Sequence, residues 1–214
     1  MKSYSQVDSK KQPLDIKLDN ILNKTNGFYI ELGANNGLDQ SNTAFFEFYR
    51  NWKGLLIEPS YDKFLECVEN RKNSIVKNYA CVSDDYSYDK IKGDFNGSLM
   101  SSVDGKRLND NNTIEVKAIT LEKLLDSVID TNRQIDLLSL DTEGYELNIL
   151  RGLNLNKYRP QYMLIEIYNH DFENILLFLT ENCYILHSNF SNYNYIDNPQ
   201  WDGTHNDYLF MDNR

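Results

Sequence analysis

Gly27-Phe-Tyr-Ile-Glu-Leu-Gly-Ala-Asn-Asn-Gly37 is the stretch that decides the fold. Its first half is a short apolar run ended by glycine, the pattern of a compact buried strand. Its second half is a turn, and Ser41-Asn42-Thr43 then offers N-cap oxygens for a helix running to about Trp52. The same unit repeats downstream. Gly54 to Glu58 is a second buried strand stopped by Pro59, and Ser60 caps a helix through about Arg71. Ser74 to Val82 reads as a third strand. Ile135 to Leu140, Gln161 to Tyr168 and Cys183 to Phe190 continue the series, with helices between them at 144–150 and 171–181. Apolar strands alternating with helices predict an α/β fold with a doubly wound, mainly parallel sheet covered on both faces. The end of the chain differs. Asp207 to Met211 is a last strand reached through a loop with no helix, so the seven-stranded sheet should carry an antiparallel last strand.

Outside that frame, Leu14 to Lys24 suits a short amphipathic helix. Thr113 to Ile119 alternates like a strand with one exposed face, and Thr120 caps a helix to about Ile129. Residues 83–112 form a polar, irregular insertion, with short strands expected around Tyr88–Ile91 and Ser98–Val103. Residues 1–13 are polar and are expected to form a flexible tail, leaving 14–214 as one domain, Rossmann-like in outline.

Acidic residues outnumber basic ones 32 to 22, a net charge of −10. That disfavours a nucleic-acid partner, whose affinity rests on Lys and Arg. Lys10–Lys11 and Arg71–Lys72 read as solvated surface. Cys67, Cys81 and Cys183 lie far apart without a partner His or CxxC, which argues against zinc and for thiols in a reducing compartment. No apolar run is long enough for membrane insertion, and residues 1–13 lack the apolar stretch of a signal peptide. A cytoplasmic location is the expectation.

Open α/β sheets bind ligands beyond the carboxyl ends of their strands. Gly33 and Gly37 there would let the backbone turn tightly and approach a ligand, although they would also serve a plain strand–helix turn. Glu58 ends the next strand about 25 residues after Gly33, near the spacing of an acid that accepts from both ribose hydroxyls. A pyrophosphate on Gly-x-Gly-x-x-Gly would suit a nicotinamide-dependent oxidoreductase. Here the spacing is Gly-x-x-x-Gly, with Glu31 before it and Asp39 behind. Acids at that place favour S-adenosylmethionine, which carries a sulfonium and an amino group but no phosphate. A non-catalytic cofactor-binding module is a further alternative.

The chain resembles the FkbM-type methyltransferase family. The resemblance rests on Tyr29-Ile-Glu-Leu-Gly-Ala-Asn-Asn-Gly37, Leu56-Ile-Glu-Pro59, Asn78-Tyr-Ala-Cys-Val82 and Thr120-Leu-Glu-Lys-Leu-Leu-Asp126. It continues through Ile135-Asp-Leu-Leu-Ser-Leu-Asp-Thr-Glu-Gly-Tyr-Glu146 and Leu164-Ile-Glu166, the Asp-x-Glu-Gly-x-Glu stretch being the most specific. The resemblance implies a class I fold and O-methylation, commonly of a sugar, oligosaccharide, glycoside or other hydroxyl-bearing acceptor. Carried onto this chain, it sets Glu31, Gly33, Ala34, Asn35, Asn36 and Gly37 at the methionine part, together with Ser41 and Asn42. Glu58 and Pro59 would meet the ribose, and Ala80 and Cys81 the adenine.

An alcohol is a poor nucleophile until a base or a metal withdraws its proton. By topology, Asp141, Glu166 and His170 reach the active edge, and an antiparallel last strand brings His205 there too. His205, His170 or Asp141 is then a candidate base. Alternatively Asp141 and Glu166 hold Mg2+ or Mn2+, hard ions suited to oxygen ligands. Asp141 as a mere helix cap and His170 as a helix-start residue are the plainer readings. Phe190 to Trp201, rich in Tyr and Asn, is expected to act as an acceptor-binding lid, or else to be a surface loop shaped by coding bias.

Overall fold

A computed structural model of the chain describes residues 1–95, 100, 102–103 and 112–214. In chain order the elements are α1 (Leu14–Leu22), β1 (Phe28–Leu32), α2 (Ala44–Arg50), β2 (Lys53–Ile57), α3 (Tyr61–Asn70), β3 (Ile75–Lys77), β4 (Ala80–Val82) and β5 (Lys90–Gly93). They continue with β6 (Ile114–Thr120), α4 (Leu121–Val128), β7 (Ile135–Leu140), α5 (Glu146–Arg151), β8 (Pro160–Tyr168), α6 (Phe172–Glu181), β9 (Tyr184–Asn189) and β10 (His205–Asp212).

Seven strands form the main sheet in the order β3-β2-β1-β7-β8-β10-β9. The pairs from β3 to β8 are parallel, and β10 runs antiparallel to both of its neighbours. The antiparallel last strand is therefore as the sequence predicts. Every residue of β1 and β7 is buried, because the sheet is covered on both sides. On one face Ile30, Leu138, Ile165 and Phe210 pack against Leu121 and Leu125 of α4, Ile149 of α5 and Ile175 of α6. On the other, Tyr29, Leu137, Leu164 and Leu209 pack against Leu14 and Leu18 of α1 and Phe45 and Phe46 of α2. Strand order reverses between β1 and β7, and this reversal opens a crevice at their carboxyl ends.

Two expectations about the fold are corrected, and a third falls largely outside the described residues. The strand expected over 74–82 is two strands. Asn78 turns the chain between them, its Nδ2 donating to the Glu58 and Pro59 carbonyls at 2.9 Å each. β4 then joins a small sheet of order β4-β6-β5. The expected strand near Ser98–Val103 lies largely outside the described residues, though Val103 bridges Gly93. The helix after Ser41-Asn42-Thr43 starts at Ala44 as expected, Ser41 Oγ accepting from Ala44 N at 3.1 Å while its hydroxyl and that of Thr43 bond Glu31. Finally, residues 3–9 are no loose tail. Asp15 Oδ1 accepts from the Ser3 hydroxyl and Oδ2 from the Tyr4 amide, both at 2.8 Å, and Ser9 N donates to the Ser191 carbonyl. No helix among the described residues is long and apolar enough to cross a membrane.

Candidate active site

The cleft at the switch point holds about 920 Å³, the space open to solvent at its mouth included. Gly33 shapes its floor. It sits at φ +76°, and a Cβ there would stand 1.8 Å from the Asp141 carbonyl oxygen. Only glycine lets the turn after β1 cross the turn after β7 so closely.

Glu58 forms one wall. Its Oε2 accepts from Asn35 N at 2.7 Å and its Oε1 from Ser60 N at 2.8 Å. Burial pushes its pKa up to about 7 despite those bonds. Each oxygen keeps lone pairs for further donors. Glu31 forms the opposite wall. It accepts from Ser41 Oγ and Asn42 N at 3.0 Å and from Thr43 Oγ1 at 2.6 Å. Asn42 donates its Nδ2 to Ser139 Oγ, while its buried Oδ1 has no partner among the described residues. An unpaired amide oxygen beside a carboxylate suits an ammonium. No lysine or arginine lines the cleft among the described residues, so nothing there would neutralise a pyrophosphate. Beyond Glu58, Ile57, Pro59, Tyr79, Ala80, Cys81, Phe95 and Ile149 make a largely apolar slot that fits a purine. S-adenosylmethionine thus matches the donor set from end to end.

Gly33, Ala34, Asn35, Ser41, Asn42, Glu58, Pro59, Ala80, Cys81 and Asp141 all line the cleft with Glu31. Asn36 and Gly37 do not. Asn36 Oδ1 instead accepts from the amides of Leu38 and Asp39, holding the turn. Gly37 faces α3, where a Cβ would come within 2.7 Å of Arg71 Cγ. Tyr79 and Phe95 went unforeseen: Tyr79 sits in a strand-ending motif, and Phe95 comes from the polar insertion.

Arg71 corrects the reading of 71–72 as surface. It is 0% exposed. Its Nε donates to Glu47 at 2.9 Å, its Nη1 to the Gly37 carbonyl at 2.8 Å and Ser41 Oγ at 3.1 Å, and its Nη2 to Tyr29 Oη at 2.6 Å. Glu31 lies 3.5 Å from Nη1. Arg71 therefore anchors the turn that carries the cleft's acidic wall.

Acids gather where β7 and β8 end. Glu166 and Asp207 are directly paired across β8 and β10. One step beyond the Leu140–Ile165 pair, Asp141 and Glu166 adjoin on β7 and β8. Like charges side by side on a sheet destabilise it, so such a row marks a functional site. One carboxylate oxygen each from Asp141, Glu143 and Glu166 lies within 4.8 Å of the others. Desolvation, reinforced by the neighbouring carboxylates, raises Asp141 and Glu166 well above the usual carboxylate range. Protonating either one is therefore favoured over leaving both ionised. Glu166 Oε1 lies 3.3 Å from His205 Nε2. His205 Nδ1 lies 2.9 Å from the Thr204 hydroxyl. His170, like His205, does not line the cleft. It is exposed, pairs with Asp171 at 3.1 Å and lines a neighbouring recess with Tyr168 instead of the cleft. Its place at the start of α6 turns it outward.

The buried acids predict the pH dependence of stability. Glu58 titrates near 7 when folded and at its ordinary 4.5 when unfolded. Asp207, pushed up to about 6 by burial, moves the same way from 3.8. Between those values the folded chain binds more protons than the unfolded one, so stability falls as pH rises. Glu47, Asp8 and Asp212 are held below their usual values and act oppositely, but only in acid below about pH 4. The ligand-free melting temperature should therefore drop between pH 5 and 7.5, and Glu58→Gln should flatten the drop. A curve of unchanged slope in that variant would remove Glu58 as its source.

The sheet order with its switch-point cleft is that of the class I methyltransferase fold. The fold is similar to fibrillarin from Aeropyrum pernix, solved with natively bound S-adenosyl-L-methionine, at 11% identity and a TM-score of 0.53, covering 88% of this chain and 67% of that one. It is equally similar to a precorrin-6y C5,15-methyltransferase from Geobacter metallireducens, at 8% identity and a TM-score of 0.53, covering 98% and 94%. At such identities the likeness concerns the fold alone. A search of curated proteins finds no match. The model of the methyltransferase FkbM domain matches residues 31–186, and the chain belongs to that family.

Proposed function

We propose that this methyltransferase acts on a hydroxyl oxygen carried by a sugar, oligosaccharide or glycoside. The observation that carries the proposal is the Glu166–His205 pair beside Asp141, at the edge of the cleft. When bound, S-adenosylmethionine supplies an electrophilic methyl on a sulfonium. The acceptor oxygen would take that methyl in place of the sulfur, the thioether leaving with the bonding electrons. The hydroxyl proton passes to His205 Nδ1, the acceptor hydroxyl taking the place of the Thr204 hydroxyl, which keeps Asp202 as its partner. Glu166 holds Nε2, and Nδ1 faces the Thr204 hydroxyl, the same chemistry as the acceptor's. The acidic row of Asp141 and Glu166 favours a cation beside it and stabilises the imidazolium that forms. Asn42 Oδ1, beside Glu31, would hold the ammonium, and Glu58 the ribose.

A second reading is favoured by the spacing of Asp141, Glu143 and Glu166 and by the unpartnered Glu166 Oε2. These three would hold Mg2+ or Mn2+, which lowers the pKa of a bound hydroxyl. Two of those carboxylates already have partners, however: Tyr168 Oη donates to Glu143 at 2.6 Å, and His205 meets Glu166.

The test uses methyl-labelled S-adenosylmethionine with a panel of mono- and oligosaccharides, with EDTA or with added Mg2+ or Mn2+. An O-methyl sugar formed in EDTA is the expected result. Transfer only with added metal selects the second reading. Label found on protein or RNA and on no saccharide overturns the acceptor class.

A further inference from the structure

Beside the cofactor cleft runs a second groove, walled by residues 6–11 on one side and 193–202 on the other. We infer that it is the acceptor subsite and that it takes a neutral saccharide. This rests on the O-methylation proposed above and adds where and how the acceptor is held.

The groove and the cleft share a wall. Gln40 lines both. His205 lines the groove and reaches Glu166, whose neighbour Asp141 lines the cleft. A hydroxyl in the groove near His205 thus lies on the side toward the cofactor.

The lining chemistry selects the ligand. Gln6, Gln40, Asn198 and Gln200 are primary amides, each offering donors and an acceptor, as vicinal hydroxyls require. Asn198 Oδ1 is buried and has no partner among the described residues. Trp201 adds a partly exposed aromatic face, braced by its Nε1 bond to the His205 carbonyl at 2.9 Å and by the Tyr195 ring at 5.2 Å. Lys11 and Asp202 offset each other, so neither a strongly anionic nor a strongly cationic acceptor is favoured.

The walls are fixed in place. Tyr193 Oη lies 2.8 Å from the Val7 carbonyl and 3.0 Å from Gln6 Oε1, its one proton shared between the two acceptors. Gln6 Nε2 donates to Gln40 Oε1 at 2.9 Å, and Ser5 bridges Gln40. The N-terminal segment is thereby part of the binding surface, with side chains oriented before the ligand arrives.

Trp52 is 1% exposed, so a saccharide in the groove should change the emission of Trp201 alone. The experiment titrates neutral mono- to tetrasaccharides while following that emission. It then compares acceptor KM and S-adenosylmethionine Kd for Gln6→Ala, Gln200→Ala and the double variant, with melting temperatures confirming the fold. Each single change should raise acceptor KM about 3- to 10-fold, as expected for one hydrogen bond, with cofactor Kd unchanged. Methylation of a saccharide with unchanged KM in all three variants overturns the groove and leaves O-methylation standing. Trp201 quenching without turnover of any saccharide supports the groove and counts against the transfer reaction. Neither quenching nor turnover overturns both.

Discussion

Replacing Arg71 with alanine should cost the protein about 3–5 kcal/mol, the usual penalty for stranding a buried charge. Two carboxylates, Glu31 and Glu47, lose their common cation and face each other in the core. The Gly37 carbonyl and the Tyr29, Ser41 and Thr43 oxygens lose donors at the same time. Domains of this size hold on the order of 5–15 kcal/mol in all, so a large fraction of the margin would go. The melting temperature should fall by roughly 6–20 °C. Cofactor affinity should fall as well, because Arg71 and Glu31 together fix the turn from 33 to 43. Arg71→Lys should recover only part of the loss, since an ammonium cannot meet six acceptors arranged around a planar fork. Thermal denaturation of the three proteins at pH 7 measures this. An alanine variant melting within a degree or two of the parent would show that Arg71 is not the anchor.

That residue also marks where sequence reading stopped. The apolar strands were legible because a sheet covered on both faces leaves no polar alternation. Glu58 was legible by its distance from Gly33, and Asp141 and Glu166 by their place at strand ends. Arg71 was not. It sits at the end of α3 beside Lys72, where a cation ordinarily meets water. Its burial depends on partners 24 to 42 residues away that no local pattern announces. The N-terminal segment was missed for a related reason. Its composition is that of a tail, and residues such as Asp15, Lys17, Gln40, Ser191 and Tyr193, brought together by the fold, give its backbone and side chains partners. Gly37 misled in the opposite direction. Its spacing from Gly33 suggested a ligand contact, while its position serves the approach of α3.

Replacing His205 with glutamine should lower kcat about 10²- to 10⁴-fold, the range for loss of a general base. The substitution keeps a polar group near Glu166 but removes the site that accepts the proton. The affinity for S-adenosylmethionine should hold, because His205 is not among the residues lining the cleft. Acceptor KM should change much less than kcat, since the loss falls on the transition state. Glu166→Gln distinguishes the two readings of the acidic row. If Glu166 only orients His205, a neutral amide can still hold Nε2, and the loss should be smaller than for His205→Gln. If Glu166 is a metal ligand, the loss should be the larger of the two and should ease as Mg2+ or Mn2+ is raised. A His205→Gln enzyme that keeps kcat within a few fold, in a reaction abolished by EDTA, would transfer the activating role from the imidazole to a cation held by Asp141, Glu143 and Glu166.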